Sequence, residues 1–154
     1  IESTIEAARA RVQRALESGA ALARFRRNVE AQGGDARVCD EPARLLQTST
    51  LRAVKVESTR AGFVTQVEAA EIGYAVSAIG GGRTRVEDEI DHQVGFVADV
   101  KHGDQLAKGD ALGTLYCRDD AQAAMARARI KVAYTIGDEP PYEPLKLIKE
   151  VITA

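Results

Sequence analysis

Two short runs hold residues whose types and spacing could do chemistry on a charged ligand. Gly80, Gly81, Gly82 and Arg83 stand together as "GGGR". Glycines let backbone N–H groups approach an anion and an arginine adds a bidentate partner, so the run could cradle a phosphate. Phosphate loops, however, precede the helix whose N-terminus they use, and these glycines follow a helical pattern; a helix-ending turn is the favoured reading. Just beyond, "VEDEID" gathers Glu87, Asp88, Glu89 and Asp91. It lacks the alternating ligands and central glycine of a calcium loop, and reads as a solvated acidic segment that caps turns.

Three further sets are weaker. His92 and His102 are isolated, with no metal spacing and no nucleophile signature around them. Cys39 and Cys117 make neither a disulfide framework nor a C-x-x-C pair, and read as small apolar groups in a reducing compartment. Lys101 and Lys108 lie in "VKHGDQLAKGDALGTLY", Val100 to Tyr116, whose two Gly-Asp turns and short apolar run are spaced as in domains that carry biotin or lipoate on a lysine. That chemistry needs an exposed lysine at a hairpin tip flanked by Met or Asp. The only methionine is Met125, inside an Ala/Arg helix, so both lysines read as solvated turn residues. A stand-alone biotinyl or lipoyl-like carrier, or an interaction module, stays the alternative from a different class. On the residues alone, no catalytic, cofactor-binding or metal-ligating position is assigned.

The elements that would position these groups follow from periodicity. Ser3 and Glu6 fit a capping box, and Ile5, Ala8, Val12, Ala15 and Leu16 then recur at helical spacing. Ser18-Gly19 ends that helix, Ser18 can cap the next, and Leu22, Phe25 and Val29 form the second apolar face. The arginines between them (Arg9, Arg11, Arg14, Arg24, Arg26, Arg27) alternate with Glu6, Glu17 and Glu30, which reads as a solvated face rather than a nucleic-acid patch. Gly33-Gly34 breaks the period and Asp35 can begin a turn.

From Leu51 the period becomes two. "LRAVKVES" and "GFVTQVE" read as strands separated by "STRAG". Ile72, Ala75, Val76 and Ile79 share one helical face before the glycines stop it. "HQVGFVADV" and "ALGTLYC" return to strand character. "DDAQAAMARARI" is a helix capped by Asp119 or Asp120, "KVAYTIGD" a last strand, and the proline-broken tail leaves Leu145, Leu147, Ile148 and Val151 available to dock. The order from Leu51 is strand, strand, helix, strand, strand, helix, strand: an α+β domain behind a helical lead-in, with no internal repeat detected.

Composition agrees with that size. The chain has 154 residues, 45% of them hydrophobic, enough for one domain with a smaller appended element. Lys+Arg 21 against Asp+Glu 23, net -2, gives no field that would recruit nucleic acid or an anionic membrane. No apolar run approaches the ~20 residues of a membrane span and the N-terminus lacks a signal-peptide core, so the chain reads as cytoplasmic. Beginning mid-pattern at Ile1, it also reads as a fragment.

Three stretches, in order, carry a resemblance: "SGAALARFRRNVEAQGGDARVCDEPARLL", "AGFVTQVEAAEIGYAVSAIGGGRTRVEDEIDHQVGF" and "VKHGDQLAKGDALGTLY". Together they resemble the C-terminal part of the pyrimidine-nucleoside phosphorylases, the family that includes thymidine phosphorylase. The resemblance implies an α/β hammerhead, barrel-sandwich-like, for residues 51–154, and a helical segment over 1–50 that joins it to the rest of a larger α/β lobe. It implies a parent enzyme, a pentosyltransferase of pyrimidine salvage, that runs reversible phosphorolysis of thymidine or uridine with inorganic phosphate as co-substrate and no cofactor in this chain. The partners implied are the remainder of the phosphorylase chain and, for the parent, a second copy in a homodimer; no nucleic acid and no membrane. The family's phosphate loop and base-binding residues lie in its N-terminal half. No "KHSTGG"-like loop is present here, so no catalytic residue is carried over to this sequence, and this piece alone is expected to be inactive. Archaeal AMP phosphorylases share a similar C-terminal domain, which leaves the parent's substrate open.

Overall fold

The computed structural model describes residues 2–46, 51–83, 85–142 and 150. The chain divides into two compact units, residues 1–48 and 49–154. The expected docking residues Leu145, Leu147, Ile148 and Val151 lie outside the described residues.

In the first unit, α1 (Ile5–Glu17) and α2 (Ala20–Ala31) are followed by short 3-10 turns at Ala36–Cys39 and Pro42–Leu46. The cap of α1 is Thr4 and not Ser3: Thr4 is extended (φ -134°, ψ 157°) and its side chain accepts the Ala7 N–H at 3.1 Å. With alanine three residues after the cap, the reciprocal glutamate arm of a capping box is lacking. Ser18 closes α1 but does not cap α2, whose N-cap is Gly19 at φ 73° with no side-chain bond; the Ser18 hydroxyl oxygen lies 3.5 Å from the Ala20 nitrogen, too long for a cap. Asp35 does begin the next turn, accepting the Arg37 N–H at 3.0 Å; hydrogen bonds from Arg37 hold its carboxyl at about 2. Neither helix buries a residue. Ile5, Val12, Leu16, Leu22 and Phe25, the large members of the two apolar faces, are 46–66% exposed.

The second unit is α+β. Its strands β1 (Arg52–Glu57), β2 (Gly62–Val67), β3 (Gly95–Ala98), β4 (Gln105–Leu106), β5 (Ala111–Cys117) and β6 (Tyr134–Gly137) form two three-stranded antiparallel sheets, ordered β1-β5-β3 and β4-β2-β6. Helices α3 (Ala69–Val76) and α4 (Asp120–Ala133) complete it. The "STRAG" segment does not close a hairpin; it carries the chain from one sheet to the other. The expected element order is present with one addition, the two-residue β4. Lys131–Ala133, expected in the last strand, belong to α4, because Ala123, Ala126, Ile130 and Ala133 repeat at three- and four-residue spacing and all are buried. Asp119 caps this helix, accepting the Gln122 N–H at 2.8 Å. Val56, Val64, Leu112, Leu115, Cys117 and Ile130 are fully buried at the centre.

The two Gly-Asp turns of the 100–117 segment are built alike. In Lys101–Asp104 and in Ala107–Asp110 the third residue, Gly103 or Gly109, sits at φ +94°, which a side chain would strain. In each, the aspartate N–H donates to the first residue's carbonyl (3.1 and 3.2 Å), and the aspartate Oδ2 accepts the first residue's N–H at 2.7 Å. Each turn then clips an upstream strand end. Gly103 N–H donates to Val64 O at 2.8 Å and Val64 N–H to Asp104 O at 2.9 Å; Gly109 N–H donates to Ser58 O at 3.0 Å and Ser58 N–H to Asp110 O at 2.8 Å. The pattern repeats at an offset of six in both segments, and in the turns the run Gly-Asp-x-Leu repeats with it, at Gly103–Leu106 and Gly109–Leu112.

Candidate functional site

The glycine run ends α3. The helix widens into a π turn over Ser77–Gly81, where Gly80 at φ +97° turns the chain and its carbonyl accepts the Asp91 N–H at 2.9 Å. A Cβ on Gly81 would lie 2.5 Å from Val76 Cγ1, and one on Gly82 2.3 Å from Ser77 Oγ. Close packing at Gly81 and Gly82 and the positive φ at Gly80 therefore account for these glycines, and Arg83 is exposed beside them.

The acidic segment is corrected in one respect. Asp88 caps a turn, its carboxylate accepting the Arg85 N–H at 2.8 Å. Asp91, expected to be solvated, instead receives Arg118 Nε at 2.7 Å and Nη2 at 2.9 Å, and only 29% of its side chain is exposed. Arg118 also donates to Gln93 Oε1 at 2.8 Å, and its backbone N–H to Gln122 Oε1 at 2.8 Å; Gln122 Nε2 reaches Ile79 O at 3.2 Å. The network ties the acidic segment to the start of α4 and the end of α3.

Hydrogen bonds from Arg118 hold the Asp91 carboxyl below its ordinary value. A carboxyl whose folded value is depressed contributes stability that is present above its unfolded value near 3.8 and is lost as pH falls through the folded one. Asp91→Asn should therefore cost about 1 kcal/mol at pH 7, discounted for partial exposure. The gap to wild type should close as the buffer is taken below pH 3.8. Urea melts across that range test it, and a gap that stays constant down to strong acid would contradict it.

The remaining predicted residues are dispersed. Lys101 and Lys108 are exposed within the twin turns, His92 is exposed, His102 is half-buried, and Cys39 is half-buried. Cys117 packs fully in the core, where burial pushes its thiol up and keeps it unreactive. Among the described residues, no group of three or more His, Cys, Asp or Glu could hold a metal ion.

What sequence reasoning missed is a cleft of about 620 Å³ where the β2–α3 junction faces the segment after β3. Val67, Ile72, Val100 and Tyr134 supply its apolar wall, with Glu68, Lys101 and His102 as its ionisable members. Its two sides lie some thirty residues apart in sequence, so no local pattern signals it. Its chemistry suits an apolar surface with polar edges and assembles no nucleophile and base.

Residues 63–137 match the pyrimidine nucleoside phosphorylase C-terminal domain. The chain is 44% identical over 131 residues to the thymidine phosphorylase of Burkholderia orbicola (strain MC0-3), covering 85% of this chain and 30% of that protein. It is 34% identical over 151 residues to the pyrimidine-nucleoside phosphorylase of Bacillus subtilis (strain 168), covering 97% of this chain and 34% of that one. The thymidine phosphorylase of Sinorhizobium fredii is 38% identical over 135 residues, 88% of this chain and 31% of its own. The chain thus spans about a third of the length of the curated relatives it matches. It belongs to the pyrimidine-nucleoside phosphorylase family, as a C-terminal domain of that family.

Proposed function

We propose that the chain serves as the structural C-terminal domain of an enzyme that catalyses reversible phosphorolysis of pyrimidine nucleosides, converting thymidine or uridine and phosphate to free base and a pentose 1-phosphate. The observation that carries this reading is the run of phosphorylase relatives matched over 85–97% of this chain but only about a third of theirs. The reaction needs a phosphate clamp and groups that stabilise the departing base anion; in this proposal they lie in the part of the parent outside these 154 residues. The second unit, read as an α/β hammerhead, would complete the lobe that closes over substrate.

The first unit supports a partner of that kind. A pair of helices that buries none of its residues and leaves five large apolar side chains open cannot be held by its own core. The remainder of the phosphorylase chain would cover that face, in a cytoplasmic parent that forms a homodimer. The test is phosphorolysis of thymidine and of uridine by the 154-residue chain, alone and after coexpression with the upstream part of the parent. No turnover alone and turnover on recombination are expected; appreciable turnover by the chain alone would overturn the reading.

A further inference from the structure

We propose that the cavity walled by Ser58, Thr59, Arg60, Lys131 and Tyr134 is a binding site for a small tetrahedral oxyanion, of which inorganic phosphate is the simplest. The cavity holds about 80 Å³, room for two or so waters at roughly 30 Å³ each or for one four-oxygen anion. It lies between the turn after β1 and the junction of α4 with β6, with Leu112 and Ile136 closing it on the apolar side.

The hydrogen-bonding inventory favours the anion. Tyr134 is 6% exposed, and its buried hydroxyl has no hydrogen-bond partner among the described residues. A buried hydroxyl left in that state costs about 1–3 kcal/mol, so such groups are ordinarily met by water or ligand. Burial raises the phenol further above neutrality, which keeps it a neutral donor. Ser58 already donates its hydroxyl to the Arg60 carbonyl at 2.6 Å. The other polar walls, Thr59, Arg60 and Lys131, can all donate, and every charged residue among the walls is a cation. Arg60 is balanced by its ion pair with Asp138. Lys131, half-buried, has no ion-pair partner among the described residues. Asp99 is the acid whose charge reaches Tyr134, but it does not line the cavity. Lys131 can give an oxyanion a bond in which both partners are charged, with neutral donors on the other walls, whereas water offers it only a neutral acceptor. The site does not depend on the function proposed above.

The experiment is an amide NMR titration of the whole 154-residue chain with sodium phosphate, against sodium chloride at matched ionic strength and pH. Saturable shifts are expected at Ser58–Arg60 and at Lys131–Tyr134 with phosphate, and sulfate should compete for the same amides. Lys131→Gln should weaken the apparent affinity at least tenfold and Tyr134→Phe several-fold, with the rest of each spectrum unchanged. A site that holds water only gives no phosphate-dependent shift, and that result would overturn the proposal. So would equal shifts with chloride, or an affinity unchanged in both variants.

Discussion

Replacing Leu115 with alanine should lower the unfolding free energy by about 2–5 kcal/mol, the range for emptying a fully buried leucine site. Leu115 is 0% exposed and sits in the middle of β5, paired with Val54 of β1 on one side and Phe96 of β3 on the other. A central strand held from both edges cannot slide inward to fill the void, which places the cost in the upper half of that range. The readout is a lower urea midpoint at unchanged slope. Val97→Ala, in the adjacent β3 but 53% exposed, should stay within about 0.5 kcal/mol. A Val97 effect as large as that of Leu115 would place the core elsewhere.

The second large effect comes from adding one carbon. In Gly113→Ala the new methyl would fall 2.2 Å from the Val97 carbonyl oxygen and 2.4 Å from Phe96 Cζ. The phenyl ring can swing away; the carbonyl belongs to a strand paired with β5 and cannot move without parting β3 from it. The cost should reach or exceed the top of the roughly 1–3 kcal/mol that overpacking brings. Gly95→Ala in the same strand pair is the internal comparison, because a Cβ there meets nothing within 4 Å. Its expected change is no more than about 0.5 kcal/mol. Equal destabilisation of the two variants, measured in parallel melts, would refute the steric account.

These contrasts also mark what could be read from the amino-acid order and what could not. The alternation from Leu51 to Val67 announces strands, and Ile72, Ala75 and Ile79 announce the packed face of α3 and of the π turn that ends it, because both patterns are local. Choosing Thr4 over Ser3 is beyond a local pattern: adjacent residues with the same capping chemistry differ only in where the first helical turn closes. The end of α4 is hidden for a related reason, since Val132 and Tyr134 favour strand while burial of Ile130 and Ala133 holds the helix on. Asp91 reads as solvated in the sequence because its partner Arg118 is 27 residues away. The cleft and the cavity, both lined by Tyr134, exist only where separate elements converge. For the apolar stripes of α1 and α2 the pattern was legible, but no sequence of this length says what covers them.

The twin Gly-Asp turns have a kinetic side. Their contacts are nested: the Gly103–Val64 clip lies inside the loop that the Gly109–Ser58 clip must close. Closing the inner loop, roughly forty residues, first shortens what the outer one has left to close to about a dozen, which trims its closure cost by about 1 kcal/mol. The two clips should therefore form in sequence, inner before outer, like the teeth of a zipper. Folding and unfolding rates of alanine variants at Asp104 and Asp110 report that order, with folding slowed more at Asp104; the opposite ranking would mean the outer clip leads. On this view the six-residue echo is a device that lets one local segment gather the ends of two strands bound for different sheets.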